Sequence, residues 1–150
     1  MTHDEISEAV AQITRTIPFN QVIGIRVERF EVDHVQVAFD MRPELVGNIP
    51  RKILHGGVIS ATLDLVGGVT ALASVMRDRE VSSIEEVGEV FSNFGTIDLR
   101  VDYLRPGAGE TFVATGYVLR VGRRVAVTRM ELHNETDVLI AVGTGTYITG

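Results

Sequence analysis

Leu54-His55-Gly56-Gly57-Val58-Ile59-Ser60-Ala61-Thr62-Leu63-Asp64-Leu65-Val66-Gly67-Gly68 opens on a glycine pair and then runs apolar around one carboxylate. From Val58 to Val75, 18 residues carry a single ionisable group, Asp64. A run of this length reads as a helix from about Gly56 to Met76, apolar on nearly every side, which is the pattern of a helix enclosed by the rest of its fold. An ionised carboxylate there is costly to bury unless hydrogen bonds or a working site compensate, so Asp64 is the first candidate for chemistry. The run reaches the lower length of a membrane span, but Asp64, Gly67, Gly68 and the Ser and Thr residues favour a buried helix of a soluble protein.

Working outward, residues 4–17 place Ile6, Val10, Ile13 and Ile17 on one helical stripe behind an acidic first turn, and Pro18 marks the end. Residues 24–30 and 34–41 alternate apolar and polar side chains around a Val32-Asp33 turn, the pattern of a hairpin. Pro43, Gly47, Asn48 and Pro50 make residues 42–54 a loop that delivers the chain to the glycine pair. Residues 77–93 are rich in charge and serine and hold at most a short exposed helix around Ile84 and Val87, in a segment free to move. Four strands follow at 96–104, 111–121, 124–133 and 138–148, separated by Pro106-Gly107-Ala108-Gly109, Gly122-Arg123 and Asn134-Glu135-Thr136-Asp137. Such short links join antiparallel neighbours, because a parallel pair needs a crossover of a dozen residues or more. The expected class is therefore α+β, a curved antiparallel sheet wrapped around one long central helix, with a second copy of the chain covering the side the sheet leaves open.

The 150 residues, 45% hydrophobic, suit one domain: a helix over about 4–17 and a core over about 19–149. With no cysteine, disulfides, thiolate metal sites and a Cys nucleophile are excluded. The amino terminus, Met1-Thr2-His3-Asp4-Glu5, lacks the regions of a signal peptide, so a cytoplasmic location is expected. A net charge of −6 disfavours a phosphate-tracking surface, so neither nucleic acid nor membrane is expected as a partner. His55 has no second ligand at metal-site spacing, and no Gly-x-Ser-x-Gly elbow is present, so neither a metal centre nor a Ser-His-Asp hydrolase is expected.

A helix start carrying glycine presents free N–H groups and a positive dipole end to a ligand, the makings of an oxyanion hole at Gly56 and Gly57. Asp64 lies eight residues beyond Gly56, roughly 12 Å along a helix at about 1.5 Å per residue. One chain cannot bring both to a single reacting carbon. Two such helices packed antiparallel across a two-fold axis would set the glycine end of one beside Asp64 of the other, so a catalytic pair implies a homodimer.

Leu54-His55-Gly56-Gly57 with Asp64 nine residues after the histidine, Gly95-Thr96-Ile97-Asp98-Leu99-Arg100-Val101-Asp102-Tyr103-Leu104-Arg105-Pro106, and Gly122-Arg123-Arg124 follow in order along the chain. This succession resembles the hotdog-fold acyl-CoA thioesterases of the PaaI type, over about residues 19–147. The resemblance implies that Gly56 supplies the oxyanion N–H and that Asp64 of the other subunit acts as nucleophile or general base. It further implies that Thr96 helps hold the attacking water, and that Asn48 and His55 orient the thioester region. Asn48 precedes His55 by seven residues, and Pro50-Arg51-Lys52 makes this loop slightly longer than the common family spacing; residues 77–93 are longer than usual too. Hydrolysis of a thioester needs an oxyanion donor, a base or nucleophile, and water, with no cofactor.

Period-two alternation places Thr96, Asp98, Arg100 and Asp102 on one polar strand face and Ile97, Leu99, Val101 and Tyr103 on the other. Arg105, Arg123 and Arg124 flank turns and are candidates, with Gly57, for contacts to the phosphates of coenzyme A. Acyl-CoA with medium to long or aryl acyl groups is the expected substrate, and a homotetramer of two dimers is compatible with exposed strand edges. Two other readings compete: a non-catalytic acyl-CoA-binding module, which would bind without releasing thiol, and a hotdog-type hydratase or dehydratase. The second would need a His and acid pair that His55 and Asp64, too far apart on one helix, do not form.

Overall fold

The computed structural model describes residues 1–150 apart from Asp33 and Asp78. Helix α1 (His3–Thr16) begins on a capping box: the Thr2 hydroxyl accepts the Glu5 N–H, and the Glu5 carboxylate accepts the Thr2 N–H. Pro18 marks the end of α1 as expected, with Ile17 before it extended, and it also starts a second helix that the sequence did not announce. It occupies the first turn of α2 (Pro18–Ile23), where a missing N–H costs nothing, and Gly24 ends that helix in the left-handed conformation.

Strands β1 (Arg26–Glu31) and β2 (His34–Asp40) form the expected hairpin; Asp33 of its turn lies outside the described residues. The supposed loop contains a 3-10 turn (Pro43–Leu45) and a small ribbon, β3 (Val46–Asn48) with β4 (Ile53–Leu54). Helix α3 (Gly56–Met76) follows over the length expected, and α4 (Ile84–Ser92) occupies the serine-rich segment. α4 is anchored at its N-terminus by the Ser83 hydroxyl, which accepts the Glu86 N–H, and it buries Val87 completely. It packs on α1, and the Met1 ammonium donates to the Val81 carbonyl at 2.7 Å, tying the amino terminus to the segment that leads into α4.

β5 (Gly95–Tyr103), β6 (Thr111–Val121), β7 (Val125–Asn134) and β8 (Leu139–Ile148) complete one antiparallel six-stranded sheet in the order β1-β2-β6-β7-β8-β5. β5 and β6 are not neighbours, contrary to what their short link suggests. Residues 104–110 cross the end of the sheet instead, held by Leu104 and Arg105 N–H groups donating to Ile140 and by the Leu54 N–H donating to Gly107. Three strand spacings are roughly 14 Å at about 4.8 Å each, within reach of seven extended residues.

The sheet curls around α3. Leu63, Val66 and Leu72 are fully buried with Phe39, Phe112, Met130 and Ile140 from the strands, and Phe39 stacks on Phe112 with ring centroids 5.1 Å apart. Each large apolar side chain so enclosed contributes roughly 1.5–3 kcal/mol. This burial explains why a helix long and apolar enough to cross a membrane belongs to the core of the fold. One stripe of α3 is covered less completely: Gly57 is exposed, and Ala61, Asp64, Leu65 and Gly68 are half-buried at helical spacing.

A bulge changes the face on which Thr96 lies. Thr96 pairs with Tyr147 and Asp98 with Thr146, so Ile97 is the extra residue and alternation skips one step. Thr96 therefore shares the helix-facing side with Leu99, Val101 and Tyr103, opposite Asp98, Arg100 and Asp102 rather than beside them.

Candidate active site

His55 is the N-cap of α3. Its Nδ1 accepts the Gly57 N–H at 2.8 Å, while the His55 backbone N–H donates to the Leu45 carbonyl at 2.8 Å. A neutral imidazole that accepts at Nδ1 carries its proton on Nε2. The cap separates the two glycines: the Gly57 N–H is engaged, whereas helix geometry leaves the Gly56 N–H with no acceptor inside the helix. Tyr103 of β5 holds this end, its hydroxyl donating to the Gly56 carbonyl at 2.9 Å. Asn48 sits in the ribbon leading into His55, and its carboxamide oxygen accepts the Arg51 N–H at 3.2 Å, closing the ribbon's turn.

Two turns along α3, the half-buried Asp64 meets Thr96. The Thr96 hydroxyl donates to Asp64 Oδ1 at 2.8 Å, a contact that exists only because the bulge at Ile97 turns Thr96 inward. Behind them lies Tyr147 of β8, 2% exposed, whose hydroxyl donates to the Asp64 carbonyl at 3.0 Å. Burial, and then the neighbouring Asp64 charge, push the Tyr147 phenol above its ordinary range, so it remains a neutral donor. A side chain on Gly67 would overlap the Tyr147 hydroxyl, which is why the helix carries glycine where the tyrosine crosses it.

Asp64 and Thr96 border a cavity of about 160 Å³. Its remaining walls come from α3 (Leu65, Gly68, Val69), from Phe91 of α4 and Phe94 in the turn after it, from Gly95 at the start of β5, and from Tyr147.

Other sequence candidates stay apart. Gly56 and Asp64 occupy turns of one helix roughly 12 Å from each other at about 1.5 Å per residue. Arg105 follows the end of β5, where its guanidinium donates to the Leu139 carbonyl, whereas exposed Arg123 and Arg124 lie at the other end of the strands beside Ile148 and Thr149. Among the described residues no three His, Asp or Glu side chains converge as metal ligands. Tyr147 and Tyr103 are functional neighbours that the sequence reading passed over. Gly145, two residues before Tyr147 on the same strand face, was a usable signal, because a side chain there would overlap the tyrosine ring.

The thioesterase superfamily profile matches residues 52–141, which contain both ends of this site. The medium/long-chain acyl-CoA thioesterase YigI of Escherichia coli K12 is 48% identical over 134 residues, 89% of this chain and 86% of that protein. The chain belongs to the thioesterase superfamily. A crystal structure from Shewanella oneidensis, described as related to that superfamily, superposes with a TM-score of 0.91 at 49% identity, covering 98% of this chain and 97% of that one. A thioesterase family protein from Silicibacter pomeroyi, at 20% identity, shares the fold with a TM-score of 0.75 over 95% of this chain and 96% of its own. The central helix in its curved six-stranded sheet is thus the hotdog fold, and the protein is a thioester hydrolase.

Proposed function

We propose that this thioesterase hydrolyses acyl-CoA, with medium to long or aryl acyl groups, to a free acid and coenzyme A. The observation that carries the reading is the Thr96–Asp64 hydrogen bond beside an apolar cavity. The E. coli relative, named for medium/long-chain acyl-CoA, supports the substrate class.

In this mechanism Asp64 either takes a proton from the attacking water or attacks the thioester carbonyl itself. The Thr96 hydroxyl donates a hydrogen bond to Asp64, leaving its oxygen lone pairs to accept a water O–H. Oxygen bonds to the carbonyl carbon, the tetrahedral oxyanion is held by a helix N-terminal N–H, and the C–S bond breaks; in the general-base route the proton Asp64 took from water passes to the departing sulfur, whereas in the nucleophilic route the thiolate is protonated by solvent and water then opens the acyl–Asp64 anhydride to the free acid. That N–H is assigned to the partner subunit's Gly56, with His55 and Asn48 shaping the entrance and Gly57, Arg105, Arg123 and Arg124 contributing to coenzyme A binding.

Dimer symmetry makes the assignment geometrically workable. β5 is an edge strand, with Thr96 near Asp64 at one end and Tyr103 bonded to Gly56 at the other. Antiparallel pairing of two β5 edges about a two-fold axis near Leu99 and Arg100 would lay Thr96 opposite the partner subunit's Tyr103. Each Asp64 would then approach the other helix start, giving two equivalent sites. The same association would cover the half-buried stripe of α3, and a pair of dimers would make a tetramer. The cysteine-free composition suits a reducing cytoplasm.

A panel of acyl-CoAs followed with a thiol reagent tests the reading. Catalytic release of coenzyme A is the expected result; stoichiometric binding without thiol would replace the enzyme with a carrier.

A further inference from the structure

We infer that Tyr103 is a positioning residue for hydrolysis: together with His55 it clamps the peptide between Gly56 and Gly57, and so aims the Gly56 N–H at the oxyanion. The inference rests on the role proposed above for that N–H and names what holds it in place.

Of the four successive N–H groups from His55 to Val58, three are engaged. His55 donates to the Leu45 carbonyl at 2.8 Å, Gly57 to His55 Nδ1 at 2.8 Å, and Val58 to the His55 carbonyl at 3.0 Å. The Gly56 N–H alone has no acceptor among the described residues of the chain. Such a donor lowers the barrier only if its direction is set before the reaction. The backbone here is poorly suited to set it, because two consecutive glycines lack the side chains that restrict φ and ψ. Gly57 has no stiffer substitute, since a Cβ there would lie 2.9 Å from His55 Nδ1. Direction has to come from outside the helix.

Two side chains grip one peptide group from its opposite ends. His55 Nδ1 accepts its N–H, that of Gly57, and the Tyr103 hydroxyl donates to its carbonyl, that of Gly56, at 2.9 Å. The Tyr103 ring also flanks the helix start, 3.4 Å from where a Gly56 Cβ would stand. The preceding peptide, which carries the Gly56 N–H, is anchored through the His55 carbonyl by the Val58 and Ile59 N–H groups at 3.0 and 3.4 Å. With the peptides on both sides of Gly56 fixed, its φ and ψ are fixed, and the free N–H keeps one direction.

The sheet holds the tyrosine in turn. Tyr103 pairs with Ala141 of β8, and the next two N–H groups, of Leu104 and Arg105, donate to the Ile140 carbonyl. The residue is nevertheless 53% exposed in the single chain. One neutral hydrogen bond at an exposed site adds little to stability, so what the Tyr103 hydroxyl contributes is the orientation of the helix start.

Tyr103→Phe keeps the ring and removes only the hydroxyl. In steady-state hydrolysis of octanoyl-CoA it should lower kcat by about five- to tenfold, the worth of one hydrogen bond, and leave KM within about twofold, because an oxyanion donor acts in the transition state. The urea midpoint and the dimer seen by size-exclusion chromatography should match wild type. Amide hydrogen exchange followed by NMR should be faster at Gly57 by about five- to tenfold, since the peptide it belongs to has lost one of its two holds. This combination supports the clamp. Unchanged kcat, a loss confined to KM, a loss of kcat that accompanies dissociation of the dimer, or Gly57 exchange at the wild-type rate overturns it. Gly56→Pro, which removes the N–H itself at a helical position that tolerates proline, separates the two claims. If that variant keeps wild-type kcat, the oxyanion assignment falls and the clamp with it; an inactive Gly56→Pro beside an unimpaired Tyr103→Phe overturns the clamp alone.

Discussion

The Thr96 hydroxyl donates to Oδ1 of Asp64 across 2.8 Å, joining the first residues of β5 to the third turn of α3. Sequence separation of 32 residues is closed here by the sheet wrapping the helix. The bond orients the carboxylate and puts a second polar oxygen beside it. Asp64→Asn should lower kcat by about 100-fold or more, the usual scale for loss of a general base, with an unchanged circular dichroism spectrum. Thr96→Val, which keeps the shape and loses the donor, should cost about tenfold in kcat, the value of a charged hydrogen bond of about 1.5 kcal/mol. Thr96→Ser should restore most of it. Steady-state kinetics on one acyl-CoA across the three variants checks the set.

Tyr147 and Gly67 should behave as a coupled pair. Tyr147→Phe keeps the ring and removes the hydroxyl bonded to the Asp64 carbonyl, a loss of roughly 1 kcal/mol in stability. Gly67→Ala overfills the crossing and should cost about 1–3 kcal/mol. In the double variant the hydroxyl that collides with the new methyl is gone, so the combined loss should fall short of the sum. Urea denaturation of all four proteins measures the coupling; strict additivity would mean that the two residues do not meet.

The central helix and most of the sheet were legible because their signals are local. The apolar run after His55 sets α3 to its observed bounds, and turn residues such as Pro106, Gly122 and Asn134 bracket β6, β7 and β8 to within a residue or two. The distance argument that separates Gly56 from Asp64 also needs only helix geometry. Strand order was not legible, since a short link fits a hairpin and a crossing of the sheet's end equally well, and β5 finds its partner β8 far along the chain. Thr96 was placed on the wrong face by a sound rule, because a single bulged residue at Ile97 inverts the period of two and only the packing against Asp64 reveals it. Pro18 marks the end of α1, but α2 after it was not legible, because proline is equally at home in a first helical turn.

Acid should loosen the corner held by Glu135. Its carboxylate accepts the Glu110 N–H at 3.0 Å and the Thr111 N–H at 3.3 Å, tying the turn after β7 to the start of β6. These bonds, with its own N–H first among them, hold the carboxyl below its ordinary 4.5. A pKa depressed by folding contributes stability above the unfolded value and loses it as pH falls through the folded value. Glu135→Gln should therefore lower the urea midpoint at neutral pH, and the difference from wild type should shrink steadily below about pH 4.5. A difference that persists undiminished at pH 3 would assign the effect to packing instead of charge.

The claim that each site is shared between subunits is tested most directly by mixing two inactive variants. Asp64→Asn removes the carboxylate. Gly56→Pro removes the N–H at the first helical position, where proline is tolerated, and His55 before it already has the extended conformation that a following proline requires, with ψ 136°. Unfolded together and refolded as a one-to-one mixture, half of the dimers would carry both chains, each with one fully intact site, so about a quarter of wild-type activity should return. A mixture that stays as inactive as its two parents, while forming heterodimers, would contradict the shared site.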